Sequence, residues 1–116
     1  MRAFVTLLTS VFAGACLPAA AADITAYQRG VLIRGTIEKG DYARIIEFVR
    51  HPDNHGRLAR MVYLDSSGGD VEEAIKIAHL LDKSYAATHV AHGARCYSGC
   101  FILWMSGVTI AAFIGQ

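Results

Sequence analysis

Short segments rich in β-forming residues alternate with segments of helical periodicity along residues 30–104, and this alternation constrains the fold more than any other feature. The β-rich segments are Gly30–Ile37, Met61–Leu64 and Ala87–His92. A helical pattern follows each of the first two, and a wholly apolar segment follows the third. Strands that alternate with helices are typical of a parallel sheet with right-handed crossovers. The sequence therefore predicts a single α/β domain.

Capping residues and apolar periodicity mark both predicted helices. Asp70 is a good N-cap for the second helix, with Glu73 three residues later. The apolar residues on one face of that helix are Val71, Ala74, Ile75, Ala78 and Leu81. Asp41 is predicted to cap the first helix, which ends at the turn-forming residues 51–56. The apolar face of that helix consists of Tyr42, Ile45, Ile46 and Val49.

The N-terminus has the order of a secretory signal peptide. Arg2 precedes an apolar run at residues 3–17, and four consecutive alanines stand directly before Asp23. This order predicts a signal peptide of residues 1–22 and an exported, periplasmic or otherwise extracytoplasmic protein. An uncleaved anchor and a lipoprotein site at Cys16 are the alternatives, but the apolar run is short for a membrane span.

Two glycine-bearing turns stand at predicted junctions between a strand and a helix. In the turn at residues 65–69, amides without side chains at a helix start can hold a negative oxygen. In the turn at residues 96–100, Ser98 can project its hydroxyl into a cleft. Taken singly, the first also suits a tight turn and Ser98 also suits a helix cap. Cys96 and Cys100 suit a disulfide in an oxidising compartment or two buried thiols.

Together these segments resemble the Clp protease proteolytic subunit and signal peptide peptidase, of the ClpP/crotonase superfamily. Residues 65–69, with the sequence DSSGG, are similar to the N-S-P-G-G turn of the family. Residues 98–107 are similar to its serine-glycine helix start, and the distance between the two motifs also agrees. The resemblance covers Gly30 to Gly107 and implies an α/β spiral of parallel strand-helix units.

The resemblance also implies a site and an activity. Ser98 matches the acylating nucleophile, and Gly69 and Gly99 match the residues whose amides form the oxyanion hole. The family implies a serine peptidase that acts on a peptide or protein, needs no cofactor and forms a homo-oligomer. Ser67 in place of the usual proline, and the cysteines beside Ser98, depart from the protease pattern.

A general base is the missing part of this predicted site. In Clp-type enzymes the histidine follows the serine at a distance that would lie beyond Gln116, and no lysine here matches the signal-peptide-peptidase base. His89 and His92 are more typical of structural or solvated histidines. We therefore expect residues 23–116 to be the N-terminal part of a ClpP-like domain, incomplete at its C-terminus. A catalytically silent binding or assembly module is the alternative function.

Composition and charge exclude other classes. Charged residues make up 18% of the chain and the net charge is +1, so nucleic acid is not an expected partner. The histidines and cysteines lack the spacing of a zinc site, so no metal is expected. Residues 96–116 carry no charge and are long enough for a membrane span, but their glycines and hydroxyl residues make that alternative less favoured.

Overall fold

The computed structural model describes residues 21–108 and 110–112. Residues 1–20, most of the predicted signal peptide, lie outside the described residues. The helices are α1 (Asp41–Arg50), α2 (Val71–Lys83) and α3 (Gly99–Met105), and a short 3-10 turn spans Pro52–Asn54. The strands are β1 (Asp23–Tyr27), β2 (Gly30–Arg34), β3 (Val62–Asp65), β4 (Thr88–Val90) and β5 (Ile110–Ala112).

The five strands form one sheet in the order β1-β2-β3-β4-β5. Strands β2 to β5 are parallel, as the alternating pattern predicts, and the α/β fold class is confirmed. Strand β1 was not predicted, and it pairs antiparallel with β2 through a tight turn at Gln28 and Arg29. Four of its five residues are exposed, so this edge strand lacks the apolar pattern that would reveal it.

The core lies on one face of the sheet. Alternate residues of the central strands are buried there, since successive side chains of a strand point to opposite faces. They are Val31, Ile33, Val62, Leu64 and Thr88. The helices bury Ile45, Ile77 and Leu103 in the same apolar cluster. On the opposite face, Leu32 and Tyr63 are only half-buried.

The start of α1 differs from the prediction. Gly40, with φ of 98°, occupies the N-cap position, and Asp41 is the first helical residue. The Glu73 carboxylate of α2 accepts hydrogen bonds from the amides of Gly40 at 3.3 Å and Tyr42 at 3.0 Å. A buried glutamate from a neighbouring helix therefore satisfies the donors that a local cap would otherwise serve.

The start of α2 agrees with the prediction, but its apolar face is rotated. The Asp70 carboxylate accepts a hydrogen bond from the Glu73 amide at 2.8 Å, which confirms the cap. The buried apolar residues of α2 are Ala74, Ile77, Ala78 and Leu81. Val71 and Ile75 are exposed, so that part of the predicted face is wrong. Ile75 instead lines an open groove with Phe101 and Met105 of α3.

Candidate functional site

Parallel pairing brings the two predicted glycine turns together. Beyond β3, Ser66 forms an isolated parallel bridge with Cys96. The Ser66 amide donates to the Arg95 carbonyl at 2.6 Å, and the Tyr97 amide donates to the Ser66 carbonyl at 3.1 Å. Residues 66–69 therefore lie beside residues 96–99, beyond the carboxyl ends of β3 and β4, and this edge is the usual place for functional groups in parallel sheets.

Gly68 lies against Ser98 and Gly69 lies against Ile37, and both have backbone conformations that favour glycine. Their φ angles are 102° and 142°. A methyl group on Gly68 would lie 2.7 Å from the Ser98 Cβ and 2.9 Å from the Tyr97 carbonyl oxygen. A methyl group on Gly69 would collide with the backbone of Ile37. Close approach of three backbone segments thus requires glycine at both positions, and Gly68 is a site residue that the sequence reasoning missed.

Ser98 stands at the N-cap position of α3, but its side chain makes no capping hydrogen bond. Its φ is 52° and its ψ is −122°, a combination that residues with a side chain rarely adopt. Such a conformation costs about 1–3 kcal/mol and occurs preferentially at functional sites. The residue is exposed to solvent. The geometry therefore differs from that of an ordinary serine helix cap.

A disulfide bond encloses Ser98. Cys96 and Cys100 are bonded, with their Cα atoms 5.0 Å apart. The sequence left this pair open because bonding depends on how the backbone between the cysteines turns. Cys100 is buried in the core at the start of α3, whereas Cys96 lies at the end of the bridge to Ser66. The bond therefore ties the two ends of the Ser98 turn to each other.

Two backbone amides remain available beside Ser98. Gly99 and Gly69 are close neighbours, since a Cβ on Gly99 would lie 3.9 Å from the Gly69 nitrogen. Within residues 21–108, neither amide donates to a backbone or side-chain acceptor. Gly99 is buried, and a buried amide normally has a partner, whereas Gly69 is exposed and its amide can bind water. Two free donors next to a hydroxyl can hold an oxygen that carries negative charge.

No described side chain stands as a base against the Ser98 hydroxyl. Within residues 21–108, no hydrogen bond joins that hydroxyl to a histidine, lysine or carboxylate. His89 packs edge-on against the Tyr63 ring, with centroids 5.7 Å apart. Lys76 lies 3.8 Å from the Glu73 carboxylate. His89 and Lys76 thus make their described contacts with residues other than Ser98.

The described helices also bear on the membrane alternative. None of the helices within the described residues combines the length and the hydropathy that a membrane crossing requires.

A crystal structure of methylmalonyl CoA decarboxylase, a crotonase-superfamily enzyme, is similar to this chain, with a TM-score of 0.51 and 13% sequence identity. The alignment covers 80% of this chain and 45% of the decarboxylase, so the chain spans less than half the length of that enzyme. No protein-family model matches the sequence, and no curated protein matches it. The likeness shows a crotonase-type fold, the coarser part of the predicted resemblance.

Proposed function

We propose that this chain belongs to an exported ClpP-like serine hydrolase that cleaves peptides through an acyl-enzyme on Ser98 once a base from outside the described residues is supplied, and that the described residues alone are inactive. One observation carries the proposal. The Ser98 side chain is exposed and makes no capping hydrogen bond, and it lies in a turn that the disulfide closes. Within residues 21–108, the neighbouring amides of Gly69 and Gly99 have no protein acceptor. A structural cap would use its hydroxyl on the helix, and the buried amide of Gly99 would normally have a partner within the fold.

In the proposed reaction, Ser98 is the nucleophile and the amides of Gly69 and Gly99 form the oxyanion hole. The Ser98 oxygen attacks the peptide carbonyl, and the carbonyl π electrons move to its oxygen. The amides of Gly69 and Gly99 donate hydrogen bonds to that oxyanion, each donor contributing about 3 kcal/mol to lowering the barrier. The Ser98 proton passes to a base outside the described residues and then to the leaving amine. Water hydrolyses the resulting ester.

An active-site serine probe tests this proposal. In a form of the protein that includes the base, a fluorophosphonate is expected to add one phosphonyl group to Ser98, measured by intact mass and by peptide mapping. The Ser98→Ala variant is expected to lose labelling completely. Ser67→Ala is the matched control, because Ser67 is an exposed serine in the neighbouring turn. Labelling that persists in Ser98→Ala, or that disappears only in Ser67→Ala, would contradict the proposal.

A catalytically silent binding or assembly module is the second candidate. It is favoured by the exposed apolar side chains of Phe101 and Met105 on α3. Such a protein would resist the probe while folding normally. A folded protein that includes the segment expected to carry the base, and that still acquires no phosphonyl group, would therefore favour this second function.

A further inference from the structure

Ala22, directly before β1, is built into the fold although the predicted signal peptide includes it. Its side chain is 1% exposed and belongs to the core cluster. Its amide nitrogen lies 3.3 Å from Oδ2 of Asp41. Its carbonyl oxygen accepts a hydrogen bond from Nη1 of Arg44 at 2.7 Å. Removal of Ala22 would break all of these contacts.

The partner of the Ala22 amide is a buried carboxylate. Asp41 is 1% exposed, and its Oδ2 also accepts a hydrogen bond from the Glu38 amide at 2.8 Å. Its Oδ1 accepts one from Arg44 at 2.9 Å. The Arg44 side chain is 46% exposed, so the only described cation against this carboxylate lies partly in solvent. Burying a charge is costly unless paired groups surround it.

The sequence allows cleavage at either of two neighbouring bonds. Ala19 and Ala21 frame the bond before Ala22 in the A-x-A pattern, and Ala20 and Ala22 frame the bond before Asp23 equally well. The contacts distinguish the two bonds. Cleavage before Asp23 would leave a cavity in the core and would remove one donor from Asp41 and one acceptor from Arg44. Cleavage before Ala22 keeps every contact.

We infer that processing cuts the bond between Ala21 and Ala22, and that the new α-ammonium of Ala22 forms an ion pair with Asp41. One water molecule is consumed: Ala21 leaves with a carboxylate, and the Ala22 nitrogen takes up the proton and becomes cationic. Charge-assisted N–H···O bonds are about 2.7–2.9 Å long, so the 3.3 Å contact is expected to shorten. The inference rests on the export part of the proposed function and not on Ser98.

Cleavage at this bond would couple processing to stability. Before cleavage, Asp41 faces a neutral peptide amide. Afterwards it faces a cation that the same backbone position holds in place, and this cation ties the start of β1 to α1. The processed chain is therefore expected to be more stable than a chain that begins one residue later.

The first experiment locates the cut. The full 116-residue chain is produced in a bacterial host that exports it, and the product is examined by intact mass and N-terminal sequencing. A product that begins at Ala22 supports the inference. A product that begins at Asp23 overturns it while leaving export intact. A product that retains Met1 overturns both the inference and export.

The second experiment tests the ion pair. Ala21→Leu places a large residue before the first bond, which should move cleavage to the bond before Asp23, whereas the control Ala21→Ser should not. The product that begins at Asp23 is expected to unfold at least about 4 °C below the wild-type product. In the wild-type product, Asp41→Asn is expected to lower the unfolding midpoint by a similar amount. In the product of Ala21→Leu, which begins at Asp23, the same substitution is expected to lower the midpoint by less than half as much. Independent effects of the two substitutions would overturn the ion pair.

A chemical readout covers the case in which Asp41→Asn does not fold. Reductive methylation near neutral pH modifies accessible α-amines, and a buried, paired Ala22 ammonium is expected to react at least about tenfold more slowly than the Asp23 amine. Equal rates for the two N-termini would contradict the inference.

Discussion

At the residue scale, the position and the conformation of Ser98 indicate different roles. Its position before α3 is that of a helix cap. Its φ of 52° is strained and its hydroxyl makes no capping hydrogen bond. The surrounding fold therefore holds this residue in place at a cost in conformational free energy.

This conformation predicts an unusual order of stabilities. Glycine adopts a positive φ without strain, whereas alanine does not. We expect the Ser98→Gly variant to be more stable than the Ser98→Ala variant by about 1 kcal/mol, even after the entropy that glycine adds to the unfolded chain. We also expect Ser98→Ala to stay within about 0.5 kcal/mol of wild type, because no capping hydrogen bond is lost. Urea unfolding measures both, and a loss of about 1 kcal/mol or more in Ser98→Ala would indicate a true cap.

The close contact between Gly68 and Ser98 gives a second prediction at the residue scale. Gly68→Ala is expected to reduce the free energy of unfolding by about 2–4 kcal/mol, since a positive φ and overpacking against Ser98 and Tyr97 both act. Gly93→Ala is the matched control, because Gly93 also has a positive φ but its Cβ would meet no atom within 4 Å. The control is expected to lose only about 1 kcal/mol. Equal losses in the two variants would show that the contact with Ser98 is unimportant.

At the element scale, the start of α2 was predictable from sequence and the start of α1 was not. Asp70 caps α2 through a residue three positions away, so the pattern is visible locally. The amides of α1 are satisfied by Glu73, more than thirty residues later, which no local pattern reveals. The same reasoning explains the α2 face. Its rotation follows from packing against α1 and α3 and not from periodicity within the helix.

Glu73 should therefore stabilise a helix to which it does not belong. Glu73→Ala is expected to reduce the free energy of unfolding by about 2 kcal/mol, because the part-buried amides of Gly40 and Tyr42 lose a charged acceptor. Glu72→Ala removes a neighbouring, exposed glutamate and is expected to change it by less than about 0.5 kcal/mol. Thermal and urea unfolding measure both variants, and similar losses would contradict a capping role for Glu73.

The disulfide links the bridge at Ser66 to the start of α3 and should matter for both stability and labelling. Replacing Cys96 and Cys100 together by serine is expected to cost about 2 kcal/mol, as estimated for closing so short a loop. If the bond positions Ser98, reduction of the wild-type chain should also slow fluorophosphonate labelling, and reductant should not change the rate in the double variant. Labelling that is insensitive to reduction would limit the bond to a stabilising role.

At the scale of the whole molecule, the alternation of strands and helices was enough to predict the parallel order and the edge where the two turns meet. The sheet confirms that prediction for β2 to β4, and it adds the parallel strand β5, which was not predicted. What the sequence left open depends on three-dimensional closeness: the bond between the cysteines, the contact of Gly68 with Ser98, and the two amides without acceptors. These features arise only when Ser66 pairs with Cys96. Ser98, Gly69 and Gly99 were predicted as a set from family resemblance, and their catalytic roles stay a prediction.

The outer surface of α2 and α3 predicts self-association of the whole molecule. Phe101 and Met105 are each at least half exposed and line an open groove with Ile75, an arrangement that soluble monomers seldom leave uncovered. We expect the wild-type chain to form a dimer or larger assembly whose population rises with concentration in sedimentation velocity.

Phe101→Glu is expected to weaken association at least about tenfold, because it places a charge in the contact. Tyr85→Glu is the matched control, since Tyr85 is an exposed aromatic outside the groove. Association that both variants preserve equally would place the contact elsewhere, and a wild-type chain that stays monomeric at high concentration would exclude self-association through this groove.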